Sequence, residues 1–186
     1  QGRRVRDVAA EAGKDPFDWV FDHALDGGIE TMFDCKLFNI DEDRVRELLV
    51  HRCSAVGLGD AGAHLAFLCD AGFGLHLLGH WVRERGDLTL EQGVQMVTSR
   101  LADAYRIPNR GRLVPGAQAD VILFDPQTVG RGEKRRVADL PAGASRVDMP
   151  PLGLKGVWVN GQRVVSESGP IANCGKPGTL IRHFPA

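Results

Sequence analysis

Strand is scarce in the first 60 residues, and that scarcity limits what they can form. Two short apolar runs read as strands there: Thr31-Met32-Phe33, and Ser54-Ala55-Val56-Gly57-Leu58 between Arg52 and Gly59. Helical patterns surround both. Val5, Val8, Ala9 and Ala12 recur at helical spacing over residues 3–13, with Gly13 as a stop. Asp15-Pro16 supplies an N-cap and a first-turn proline for a second helix. Its stripe is Phe17, Val20, Phe21 and Ala24, closed by Gly27-Gly28. Asp41 caps a third helix with Val45, Leu48 and Leu49 on its apolar face. Alternating helix and strand predicts βα units and a parallel sheet. A parallel sheet of two strands cannot cover its faces or its edges. The sheet therefore needs completion, by residues of a longer protein or by another chain. The opening Gln1-Gly2, with a helical pattern almost at once, reads as a cut from something longer.

Residues 60–74 are rich in Gly and Ala and read as a loop. A helix is predicted over 75–85. Thr89 caps another, with Leu90, Val94, Val97 and Leu101 on its inner face. Pro108 through Gly116 is a turn-rich linker, after which the character changes. Val121-Ile122-Leu123-Phe124 and Val157-Trp158-Val159 are β-rich. Asn160-Gly161 before Arg163-Val164-Val165 is a strong hairpin signal. The stretch 127–152, dense in Gly, Pro and charge, reads as mobile.

Hydrophobic residues make up 43% and charged residues 25%, the balance of a globular protein. The net charge of -1 gives no electrostatic footprint for nucleic acid or an acidic membrane. No apolar run is long enough to span a bilayer and no signal-peptide pattern is present. Cys35, Cys53, Cys69 and Cys174 show no CxxC spacing, which suits reduced thiols in a cytoplasmic protein. Cys53 and Cys69 read as small buried apolar groups, and Trp19, Trp81 and Trp158 as core.

The sharpest chemical feature is Gly57-Leu58-Gly59-Asp60-Ala61-Gly62-Ala63-His64. An acid just past an apolar strand, opening a small-residue loop, is placed to hold a metal or move a proton. In an αβ barrel that end of the strand faces the active site. The plainer reading is an Asp that caps the loop. His64 shares the loop and is a candidate substrate contact, against a simple loop hydrogen bond. His76 and His80 stand four apart on the predicted helix, a spacing that can bind zinc, but HLLGH lacks the glutamate of the zinc-protease motif. Packing or surface roles are expected for them. Asp120 and Asp125 flank a strand after Pro115-Gly116 and are expected to bond turn amides.

The stretches VGLGDAGAH (56–64), LLGHWVRERGDLTLEQGVQMVTSRLADAYRI (77–107), NRGRLVPGAQADVILFDPQTV (109–129) and GVWVNGQRVV (156–165) resemble the amidohydrolase superfamily. Within it they are most similar to the N-acyl-D-amino-acid deacylase (D-aminoacylase-like) branch. The resemblance covers roughly residues 15–182. It implies an α/β fold: the last βα units of a (β/α)8 metal-dependent hydrolase barrel over residues 1–108, and the C-terminal strands of a small β-sandwich over 109–186. Asp60 matches the family's acid at the end of the last barrel strand, which binds metal or acts as general base and acid. Substrates would be small linear amides such as N-acyl-D-amino acids, and the usual metal is zinc. The His-x-His pair that opens amidohydrolases has no match. The histidines are His23, His51, His64, His76, His80 and His183, and no two are two apart. A catalytic zinc takes about three protein ligands; Asp60 supplies one. The chain alone is therefore expected to bind no zinc and to be inactive. The stretch LAFLCDAGFG carries no basic residue to grip a substrate carboxylate. The alternatives are a non-catalytic module that pairs its open edges with a second copy, or one half of a split hydrolase whose upstream half is a separate chain.

Overall fold

The computed structural model describes residues 2–28, 31–36 and 38–184, and the chain forms two compact units, Gln1–Glu42 and Asp43–Ala186. In the first unit, α1 (Val5–Glu11) packs on α2 (Pro16–Gly27). The Asp15 carboxylate accepts a hydrogen bond from the Phe17 amide at 2.8 Å, so the predicted cap forms. Ala9 is buried, whereas Phe17 and Phe21 of the expected inner stripe are exposed. Trp19 is half-buried and stacks on His23 with ring centres 4.6 Å apart. Residues 31–33, expected as a strand, form none.

The second unit begins with α3 (Glu42–Leu49), whose first residue follows Asp41. Helix α4 (Phe73–His76) runs on as a π-helical segment, Leu77–Glu84, where a plain α-helix was expected. Leu77 and Trp81 of that segment, with Leu88 and Met96, make the core, and Val45, Leu49, Val56, Val82 and Val97 pack against it. Helix α5 (Leu90–Val97) starts in a reciprocal capping box. The Gln92 amide donates to Thr89 Oγ1 at 3.2 Å, and the Thr89 amide to Gln92 Oε1 at 2.8 Å. The single helix predicted through Leu101 is instead broken at Thr98, where α6 (Ser99–Ala104) begins. The Thr98 hydroxyl donates to the Val94 carbonyl at 2.6 Å, a side-chain competitor that bends helices.

The larger departure concerns the parallel sheet. Residues 54–58 form no regular element and have no ladder partner, and among the described residues every strand lies at or after Val121 and every pairing is antiparallel. A parallel ladder needs a second strand beside it at the end of a crossover. With residues 31–33 not forming one, residues 54–58 find no neighbour and settle on the core through Val56.

The β-rich segments at 121–124 and 157–159 and the hairpin strand at 163–165 form as predicted. A four-stranded sheet runs β1-β6-β7-β8, from β1 (Val121–Phe124), β6 (Leu154–Val159), β7 (Gln162–Ser166) and β8 (Gly169–Pro170). Asn160 and Gly161 join β6 to β7 with φ of 50° and 81°. Positive φ at both central residues is the type I′ turn that suits strand twist, and Asn-Gly is its favoured pair. Residues 127–152, expected to be mobile, instead build two ribbons: β2 (Gly130–Arg131) with β5 (Pro151–Leu152), and β3 (Arg135–Val137) with β4 (Arg146–Asp148). The charges that suggested mobility are paired, Arg135 with Asp148 at 2.8 Å and Arg146 with Asp139 at 2.7 Å.

Candidate active-site loop

Residues 54–59, which form no regular element, lead to Asp60. Their start is anchored by Arg100, whose Nη1 donates to the Ser54 carbonyl at 2.8 Å. Val56 faces the core, while Leu58 is 89% exposed. Beside them a groove of about 500 Å³ opens between residues 55–58 and Leu101, Ala104 and Tyr105 of α6 and its end.

Asp60 is exposed, and among the described residues no side chain hydrogen-bonds to its carboxylate. Its backbone is held at two points. The Asp60 amide donates to Asp70 Oδ2 at 3.1 Å, and its carbonyl accepts from the Ala63 amide at 3.0 Å. The first bond is made possible by Gly59. A Cβ there would stand 2.8 Å from Asp70 Oδ2 and 2.9 Å from the Asp70 carbonyl oxygen, which is closer than real Cβ atoms come. Here the Asp60 segment and the Asp70 turn touch backbone to backbone.

His64 turns the chain with φ of 46° and stacks on Phe67 with ring centres 5.0 Å apart. Its carbonyl accepts from the Phe67 and Leu68 amides. Among the described residues no hydrogen bond joins His64 to Asp60, so the two candidates share a loop without forming a pair.

Two further ties come from distant sequence. The Val147 amide of β4 donates to the Leu65 carbonyl at 2.8 Å. Arg131 of β2 brings Nη1 to 3.9 Å from Asp70 Oδ1. Asp70 and Arg131 escaped sequence reasoning. Asp70 stood in a stretch read as lacking any cation, and its cation comes from the region read as mobile.

His76 and His80 stack nearly parallel, with ring centres 4.9 Å apart. They line a cavity of about 290 Å³ with Arg83, Glu84 and Arg131. His80 Nδ1 donates to Glu84 Oε2 at 3.0 Å. That bond, then the one from Arg83, holds the Glu84 carboxyl below its usual range. Cys53, expected buried, is exposed, and its amide donates to His51 Nδ1 at 3.2 Å; Cys69 is half-buried. Trp81 is buried and Trp158 half-buried. Asp120 and Asp125 do bond turn amides: Asn160 donates to Asp120 at 2.7 Å and Gln127 to Asp125 at 2.8 Å.

Among the described residues no three of His, Cys, Asp or Glu converge on a point that could hold a metal ion. One carboxylate at Asp60 does not fit a zinc centre that takes about three protein ligands. Nor is any described helix long and apolar enough to cross a membrane.

A family model described as "Amidohydrolase family" matches residues 1–165. The chain belongs to the amidohydrolase family. This amidohydrolase chain is 36% identical over 149 residues to the N-acyl-D-glutamate deacylase of Alcaligenes xylosoxydans xylosoxydans, a match covering 78% of the chain and 28% of that protein. To the D-aminoacylase of the same organism it is 30% identical over 171 residues, covering 89% of the chain and 31% of that protein. The solved N-acyl-D-glutamate deacylase of Bordetella bronchiseptica, complexed with zinc and a phosphonate inhibitor, superposes with a TM-score of 0.55 at 28% identity. That superposition covers 98% of the chain and 35% of the solved one. The amidohydrolase chain thus spans about a third of the length of the relatives it matches.

Proposed function

We propose that this chain carries the proton-transferring aspartate of a metal-dependent amidohydrolase that hydrolyses N-acyl-D-amino acids, and that it is inactive alone. On this reading residues 1–108 are the last βα units of a (β/α)8 barrel and residues 109–186 the strands of a small β-sandwich. Residues 54–58 are a barrel strand whose neighbour lies in the rest of the enzyme. The observation that carries the reading is Asp60 itself: an exposed carboxylate to which, among the described residues, no side chain hydrogen-bonds, at the end of an apolar segment beside an open groove.

Chemically, the Asp60 carboxylate takes a proton from the attacking water as its oxygen adds to the acyl carbon. The same proton passes to the nitrogen as the C–N bond breaks, releasing a carboxylic acid and an amino acid. Among the described residues the donors for a zinc ion are not assembled. His64, on the same loop, is proposed as a substrate contact. The relatives that carry the names N-acyl-D-glutamate deacylase and D-aminoacylase support the substrate class.

The test mixes the purified chain, zinc and N-acyl-D-glutamate, with and without the complementary two thirds of a deacylase relative. Turnover is expected only in the mixture. Asp60→Asn should lower it by about 100-fold or more, the usual scale of a lost acid–base group. Turnover by the chain alone, or an Asp60→Asn mixture as active as the parent, refutes the reading.

The bare groove and the exposed Leu58 and Tyr105 favour one second reading, a module that pairs this face with another copy. Gel filtration separates the two, since a clean monomer counts against self-pairing.

A further inference from the structure

We propose that Asp70 is the positioning residue for Asp60, and that Arg131 holds Asp70 in place from the C-terminal ribbon. This inference rests on the reading of Asp60 as the proton carrier. Three observations carry it. The Asp60 amide donates to Asp70 Oδ2 at 3.1 Å. Gly59 leaves room for that approach and for no Cβ. Arg131 Nη1 stands 3.9 Å from the other carboxylate oxygen of Asp70.

The arrangement has a mechanical logic. Among the described residues no ladder fixes the end of residues 54–60, so in this chain the direction of the Asp60 side chain depends on what grips its backbone. Asp70 grips it at the amide. A carboxylate accepting from a backbone N–H makes a stronger bond than a neutral acceptor. One oxygen serves Asp60 and the other faces the guanidinium, so the bridge joins the loop to β2. The second tie, from Val147 to Leu65, fixes the middle of the same loop to β4. The 130–148 region therefore acts as a brace for a loop that its two ties reach across 61 and 82 residues of sequence. Asp70 touches no reacting atom; it acts through Asp60.

The experiment reads hydrogen exchange at the Asp60 amide by NMR in the full chain, at one fixed pH. Asp70→Ala removes the acceptor and should speed exchange at Asp60 by about tenfold. Asp70→Asn keeps an acceptor oxygen and should stay within about threefold of the parent. Gly59→Ala attacks the same bond from the other side and should speed exchange as Asp70→Ala does. The amides of Trp81 and Met96, in the core, serve as the folding control and should not change. If Asp70→Ala fails to fold, Gly59→Ala and Asp70→Asn still decide the matter. Exchange at Asp60 that is unchanged in Gly59→Ala and Asp70→Ala overturns the proposal. Equal acceleration in Asp70→Asn and Asp70→Ala does so as well. A failure of the turnover experiment leaves this outcome untouched, because exchange needs neither metal nor substrate.

Discussion

Asp120 offers a sharp test of how the C-terminal sheet is secured. Its Oδ1 accepts from the Asn160 amide at 2.7 Å, at the head of the β6–β7 turn. Its Oδ2 lies 3.1 Å from Arg110 Nη1. That nitrogen is buried and has no hydrogen bond, so its contact with Asp120 is a charge pairing without good hydrogen-bond geometry. Asp120→Ala would remove both at once. A hydrogen bond from a backbone amide to a carboxylate contributes about 1.5–3 kcal/mol. Asp120 is 35% exposed, which favours the lower end, and a partly exposed ion pair adds at most about 1 kcal/mol. The expected loss is about 1.5–2.5 kcal/mol. Asp120→Asn keeps an acceptor for Asn160 and gives up only the charge, so it should cost about 1 kcal/mol. Urea unfolding followed by tryptophan fluorescence measures both, since Trp158 lies in β6. If both variants fall within about 0.5 kcal/mol of the parent, the size of ordinary surface changes, then Asp120 does not secure the turn.

Met96 is 1% exposed and sits among Leu77, Trp81 and Leu88; Met96→Ala should cost about 2–4 kcal/mol in the same urea assay. The β3–β4 ribbon should loosen in acid. Arg146 lowers the Asp139 carboxyl from its usual range, and Arg135, then Arg146, lower that of Asp148. A carboxyl lowered in the folded state gives its full contribution above its unfolded value, near pH 4. That contribution is lost as pH falls through the lower folded values. Exchange at the Val137 and Val147 amides should rise across that window, and more so at low salt, where the surface pairs matter most.

What the sequence discloses here is local. The Asp15 cap with Pro16, the Thr89 cap and the Asn160-Gly161 hairpin each depend on residues within one turn of each other, and each forms where predicted. Residues 127–152 misled because composition alone cannot show that Arg135 faces Asp148 and Arg146 faces Asp139 across a ribbon. Paired charges and free charges have the same composition. Thr98 misled for a related reason. The apolar spacing continues through Leu101, but a hydroxyl bonded to the Val94 carbonyl interrupts the helix without disturbing the pattern.

The strand predicted at residues 54–58 is informative in a different way. Residues 54–58 have the apolar character of a buried strand, yet they show no ladder because a ladder belongs to two segments and the described chain offers only one. Pattern reports what a segment is suited to; pairing depends on what lies next to it. The groove against Leu101, Ala104 and Tyr105 is the same fact seen from the side. Deprived of a sheet, the segment is fixed at its start by Arg100 and at its end by Asp70, two side-chain bonds standing in for a row of backbone ones. On the proposed function, the bond at the end bears on chemistry, because it holds the backbone of the residue proposed to move the proton. Asp60 is marked as a candidate by its neighbours in sequence, whereas its contact with Asp70 is a distance across the fold that no local pattern shows.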